Sequence, residues 1–149
     1  MANAAELIEQ NLLQLARRGI ELRHGLYERF FAAFPERRSA FLCPEATSIR
    51  MTDETLQMLH GIAAGESWVW PLIAELIATH RSYGHLPLRE YDVFVDLVVD
   101  ELAKALGTEM SREHETVWRE QAERLKTMIG KAQAEWDQIL PRGTAAASA

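Results

Sequence analysis

The sequence predicts an all-α protein of six to eight helices. Apolar residues recur at the three- and four-residue spacing of a helix along most of the 149 residues. In no stretch do β-branched residues alternate with polar ones between turn dipeptides, as they do in strands. Glycines and prolines divide the chain into segments of unequal length, whereas a plain four-helix bundle would have more even helices.

The first quarter of the chain divides into two helices and a turn. A leucine-rich stripe predicts the first helix over 4–18. Gly19 marks a bend before a second helix, predicted over 20–33. Pro35 ends that helix because proline disfavours a helical residue before it, and a turn over 36–41 follows.

The middle of the chain carries one long and one short helical pattern. The third helix is predicted within 48–64, with residues 52–54 resembling a capped helix start and Gly65 as its stop. The next segment, 68–79, is short and apolar, and Pro71 is acceptable in its first turn.

The last third of the chain predicts two long helices. After a break over 84–87, an apolar face indicates a helix over 89–106, which Gly107 ends. Ser111 caps the last helix, which runs to about Gln138.

Composition limits the class of protein. Residues 1–140 are expected to form one domain, and the Ala/Ser-rich segment 141–149 a disordered tail. The net charge of -6 argues against nucleic-acid binding, because a phosphate backbone selects a basic face. The only cysteine, Cys43, rules out an internal disulfide and a multi-cysteine metal site. Without signal-peptide features or an apolar run of about 20 residues, we expect a cytoplasmic protein with no membrane contact.

Two segments carry a resemblance to a known family. Segment 26–41, LYERFFAAFPERRSAF, resembles the second and third helices of bacterial single-domain haemoglobins and of the globin domains of flavohaemoglobins. In that family a phenylalanine stands six residues after a proline, as Phe41 does after Pro35. Segment 77–84, IATHRSYG, resembles the one with the proximal histidine. The family spacing continues through its last two helices at three more positions: Tyr91, Gly107 and Trp118.

This resemblance, which spans about 7–131, implies a globin fold around a pocket for haem b, with His80 as the iron ligand. An axial histidine needs a place on the apolar face of a helix, and Ile73 and Leu76 lie seven and four residues before His80. The alternative interpretation of His80 is a partly buried structural histidine. The four other histidines are interpreted as surface or structural: His24, His60, His85 and His114.

The resemblance also implies two aromatic residues in the pocket. Tyr27 stands fourteen residues before Phe41, the family spacing of the distal tyrosine, whose hydroxyl can donate a hydrogen bond to bound oxygen. In a dry pocket such a bond contributes about 1–3 kcal/mol. Phe41 would pack on the porphyrin edge. For both residues the alternative is an ordinary aromatic core position.

The distal helix departs from the family pattern. Counting from Phe41 places Met51 opposite the iron and Thr55 one turn on, so neither a distal imidazole nor an amide is present. The start signal at 52–54 leaves the register open, with Glu54 or Met58 as further candidates. Separately, Arg50 and Arg81 are candidate partners for the haem propionates, because guanidinium groups pair with carboxylates.

The predicted function is a haem-binding globin that binds a diatomic gas: O2, NO or CO. The resemblance also implies nitric-oxide dioxygenation, for which electrons would come from a separate reductase, since no flavin or nicotinamide domain follows in the 149 residues. The alternative is a haem-free or gas-sensing interaction module with a globin fold and no catalytic activity. The expected assembly is a monomer or homodimer.

Overall fold

The computed structural model describes residues 1–141, which form six α-helices and two short 3₁₀ helices and contain no strand. The α-helices are α1 (Ala4–Arg18), α2 (Arg23–Ala33), α3 (Pro44–Ala64), α4 (Val69–Arg81), α5 (Leu88–Leu106) and α6 (Arg112–Ile139). The 3₁₀ helices are Pro35–Ala40 and Gly107–Glu109. The predicted all-α class is confirmed. The predicted tail falls, apart from Pro141, outside the described residues.

Most predicted boundaries agree with the structure, but the start of the second helix was placed too early. Gly19 ends α1 in the left-handed conformation, with a φ of 61°. The Gly19 amide donates to the Ala16 carbonyl at 3.2 Å, and the next amide, that of Ile20, donates to the Leu15 carbonyl at 3.0 Å. This pair of bonds is a Schellman-type ending, which commits Ile20 to closing α1. Helix α2 therefore begins at Arg23 and not at Ile20.

The predicted start of the third helix, at about residue 48, was too late. Helix α3 begins at Pro44, and Glu45 lies in its first turn. Proline suits this position because its φ is already helical and its missing N–H has no partner to lose. The apparent start signal at 52–54 therefore lies in the third turn of a continuous helix, where Thr52 is buried.

Helices α5 and α6 form the central pair of the packing. Helices α1, α3 and α4 pack on α6, and α2 packs on α5. Trp118 of α6 is fully buried, and its indole N–H donates to Asn11 of α1 at 2.9 Å. Near the end of α6, the indole of Trp136 donates to the Ala74 carbonyl of α4 at 2.9 Å. Both ends of α6 are thereby held against other helices. Along residues 1–141 no helix is both long and apolar enough to cross a bilayer.

A partly buried ion pair joins the first 3₁₀ helix to α5. Glu90 is 5% exposed, and its two carboxylate oxygens accept hydrogen bonds from Arg37 Nε at 2.5 Å and Nη2 at 2.8 Å. The hydrogen bond to Glu90 raises the pKa of Arg37. This two-point contact fixes the 3₁₀ helix, and with it Phe41 at its end, relative to the core.

Candidate functional site

His80 lies in the last turn of α4 and is half-buried. Its Nδ1 is 2.8 Å from the carbonyl oxygen of Leu76, one turn earlier. Because a carbonyl can only accept, Nδ1 carries the proton in this bond, and the neutral ring then has its lone pair on Nε2. The ring also stands edge-on to Tyr91 of α5, with centroids 5.7 Å apart and planes at 80°. The imidazole is thus oriented from two sides.

Tyr27 of α2 lies inside an aromatic cluster. Its ring centroid is 5.5 to 6.3 Å from four phenylalanine rings, those of Phe30, Phe31, Phe41 and Phe94. Its hydroxyl is buried and has no hydrogen-bond partner among residues 1–141. Burial raises the pKa of Tyr27, so the hydroxyl keeps its proton and can donate.

Phe41 follows the first 3₁₀ helix and is half-buried. Its ring meets those of Tyr27 and Phe31, with centroids 5.5 and 5.1 Å apart. The two aromatic residues that the sequence places at one site, Tyr27 and Phe41, are therefore in contact.

Helix α5 connects His80 with the Tyr27 cluster. His80 packs against Tyr91, and Tyr27 packs against Phe94, with centroids 5.7 Å apart in each case. Residues three apart in a helix share a face, so Tyr91 and Phe94 present one surface. His80 and Tyr27 therefore approach neighbouring turns of the same face of α5.

The side chains of α3 differ in how they are placed. Met51 is half-buried against the core. Thr55 is buried, and its hydroxyl donates a hydrogen bond to the Met51 carbonyl of the same helix at 2.7 Å, so the hydroxyl already has a partner. Met58 is 2% exposed. Glu54 accepts from the exposed Arg50 at 3.1 Å, so its carboxylate is held at the surface.

Thr52, which the sequence predicts to be part of a helix start, is a buried polar residue within α3. Its Oγ1 is buried without a hydrogen-bond partner within residues 1–141. A signal was present in the sequence, because Thr52 stands three, seven and ten residues before Thr55, Leu59 and Ile62, which is the spacing of one helix face. The structure buries all four residues.

The four other histidines and Arg81 have their own contacts or are exposed, and His24 is the one of these residues that lines the cavity described below. His60 and His114 contact Glu9 and Gln10 of α1 at 3.0 and 2.9 Å, and His24 and His85 are exposed. Arg81 is engaged within the chain, since it bonds Asp137 at 2.6 Å and also donates to the Leu140 carbonyl.

A cavity of about 450 Å³ opens where α2, the first 3₁₀ helix and α3 meet, and we call it the corner cavity. Tyr27, Phe31, Phe41 and Ser48 line its buried or half-buried part. Six further residues complete the lining, five of them exposed: Arg23, His24, Glu28, Arg38, Pro44 and Glu45. Tyr27 and Phe41 thus share a cavity whose lining does not include His80, Met51 or Thr55.

Within residues 1–141 no group of three or more His, Cys, Asp or Glu side chains is placed to hold a metal ion. No known protein family, curated protein or solved structure was found to match the chain.

Proposed function

We propose that this chain is a globin that binds haem b through Nε2 of His80 and takes up a diatomic gas beside Tyr27. The observation that carries the proposal is the hydrogen bond from His80 Nδ1 to the Leu76 carbonyl. An axial histidine offers one neutral ring nitrogen to the iron while the other donates to a backbone carbonyl or carboxylate. His80 is held in the required tautomer by its own helix.

The arrangement of helices supports the globin part of the proposal. A globin packs eight helices of unequal length at steep angles. Residues 1–141 contain eight helical segments when the two 3₁₀ helices are counted. One of these 3₁₀ helices stands between α2 and α3 and ends at Phe41, where the resemblance places the residue on the porphyrin edge.

Unpaired buried atoms support the presence of a bound group. The hydroxyls of Tyr27 and Thr52 are both buried without a partner among the described residues. An unpaired buried polar group costs about 1–3 kcal/mol, so such groups call for a ligand or an ordered water. His80 as nitrogen donor and Tyr27 as hydroxyl donor fit the chemistry that haem and its gas ligand require.

Each residue of the proposed haem site has its own role. When bound, haem supplies an iron that reversibly coordinates O2, NO or CO. His80 would hold the group from α4, with its ring oriented by Leu76 and Tyr91. Tyr27 stays protonated and would donate a hydrogen bond to an oxygen atom beside it. Phe41 and the neighbouring phenylalanine rings exclude water.

The test is a titration of the purified chain with haemin, followed by visible spectra of the ferric, reduced and CO-bound forms. We expect saturation at one haem per chain and a Soret band distinct from that of free haemin. His80→Ala should abolish the native reduced spectrum. His60→Ala, a histidine held at the surface by Glu9, is the matched control and should leave it unchanged. A wild-type spectrum identical to that of free haemin would refute the proposal.

One observation favours the alternative, a haem-free globin-fold module. The corner cavity includes Tyr27 and Phe41 but not His80. If Tyr27 serves this cavity alone, the chain binds a small molecule there without iron. The same haemin titration separates the two functions. Nitric-oxide dioxygenation with a separate reductase stays a prediction that applies only to the haem-binding case.

A further inference from the structure

Aromatic side chains line the inner part of the corner cavity, and one arginine of its lining has no acidic partner among residues 1–141. Arg38 is exposed on the first 3₁₀ helix, and its guanidinium carbon lies 4.7 Å above the Phe31 ring centroid. Within residues 1–141 it forms no ion pair with a carboxylate. A planar guanidinium stacked on a ring keeps its edge N–H groups free for a carboxylate. Arg38 is therefore available to an anion that enters the cavity.

The second arginine of the cavity, Arg23, already has partners within the protein. Arg23 Nη1 donates to Ser48 Oγ at 3.3 Å, and Nη2 lies 3.6 Å from Glu45 Oε1. Its Nε is buried and makes no hydrogen bond, although Glu21 Oε1 lies 3.5 Å away. The lining thus holds two arginines and two glutamates, Glu28 and Glu45. Because Arg38 is the one lining arginine without a carboxylate partner among residues 1–141, a single carboxylate suits the cavity better than a doubly charged phosphate does.

The inner part of the cavity selects the rest of the ligand. Tyr27, Phe31 and Phe41 line the cavity with aromatic rings, and Phe41 is the most exposed of the three. These rings favour a flat apolar body. The volume of about 450 Å³ lies within the range of sites for small organic ligands, roughly 300–1,000 Å³.

We propose that the corner cavity binds a small aromatic monocarboxylic acid, with its carboxylate on Arg38 and its ring beside Phe31 and Phe41. The site goes beyond the proposed function and does not depend on haem. It is built from α2, the first 3₁₀ helix and α3, and the Arg37–Glu90 pair holds the 3₁₀ helix in place.

The test is a titration of the isotope-labelled full chain, without added haemin, with 4-hydroxyphenylacetate, followed by amide resonances in two-dimensional NMR. We expect saturable shifts at residues 23–48. The uncharged 4-hydroxyphenylacetamide should bind at least about tenfold more weakly, because a charge-assisted bond to Arg38 is lost. Because no haem is present, this result is independent of the haemin spectrum.

A variant and a matched control locate the ligand. Arg38→Gln should weaken binding about tenfold, whereas Arg17→Gln, the same change at an exposed arginine of α1, should leave it unchanged. The proposal is overturned if no saturable shifts occur up to about 10 mM, a limit that corresponds to negligible affinity. Equal binding of acid and amide, or equal effects of the two arginine variants, would overturn it as well.

Discussion

Glu90→Gln is the sharpest perturbation of the scaffold, because it removes one charge from a buried contact and keeps its shape. In the native protein both carboxylate oxygens of Glu90 accept from Arg37, at 2.5 and 2.8 Å. The amide keeps one acceptor and turns an N–H₂ group toward the guanidinium. At least one charge-assisted bond is lost, and the Arg37 charge loses its partner.

The size of the effect follows from burial. Breaking a fully buried pair costs about 3–5 kcal/mol, whereas an exposed pair contributes about 0–1 kcal/mol. The side chain of Glu90 is 6% exposed and that of Arg37 is 29% exposed, so Arg37 can recover part of its hydration. We therefore expect a loss of about 2 kcal/mol in the free energy of unfolding and a fall in Tm of about 6 °C.

The assay is urea denaturation followed by circular dichroism, with thermal unfolding as a second measurement. Glu109→Gln is the matched control, since Glu109 bonds Arg18 at 2.6 Å but both side chains are 40–45% exposed. It should cost less than about 1 kcal/mol. Equal losses in the two variants would show that burial of the Arg37–Glu90 pair does not determine its contribution.

Three further predictions follow from packing, hydrogen bonding and ionisation. Gly61→Ala should destabilise the fold by about 1–3 kcal/mol, because a Cβ there would lie 2.6 Å from a Val69 side-chain atom. Gly130→Ala should stabilise the fold by about 0.5–1 kcal/mol, because the nearest atom to its Cβ would be 3.9 Å away. A change of the same sign for both variants in urea denaturation would contradict this reasoning. Asn11→Ala should cost about 1–3 kcal/mol by the same assay, since it leaves the buried indole N–H of Trp118 unpaired; a neutral result would mean that water replaces the amide. Burial raises the pKa of Tyr27, so the folded protein retains a proton that the unfolded chain releases above about pH 10; stability is complete below that pH and falls by about 1.4 kcal/mol per unit above it. Tyr27→Phe should flatten this alkaline decline in denaturation curves, and an unchanged slope would show that Tyr27 ionises normally.

Local signals in the sequence predicted the helices well. The leucine-rich stripe of α1, the glycine at position 19 and the cap at Ser111 are short-range features, and the helices follow them. The start of α3 was misplaced because Thr52 and the two acidic residues after it have the composition of a helix cap, although they lie within a continuous helix. The helical spacing of Thr52 to Thr55, Leu59 and Ile62 distinguishes the two cases, and the burial of all four residues agrees with it.

The candidate site was predictable in part. Position on an apolar helix face and family spacing selected His80 and Tyr27, and the structure adds the Nδ1 hydrogen bond and the unpaired hydroxyl. The pairing of Arg37 with Glu90 joins residues 53 apart in the chain, and no periodicity indicates it. The corner cavity likewise arises from the angle between α2 and α3, which depends on packing across the whole molecule.

The proposal that His80 would hold a haem iron is the central claim, and the CO-bound spectrum of His80→Gly tests it most directly. Glycine at the end of α4 leaves space beside Tyr91 that free imidazole can fill. We predict that the variant with haem and CO loses the wild-type spectrum and regains it when imidazole is added. A wild-type spectrum from His80→Gly without imidazole would show that another group holds the iron and would contradict the proposed function.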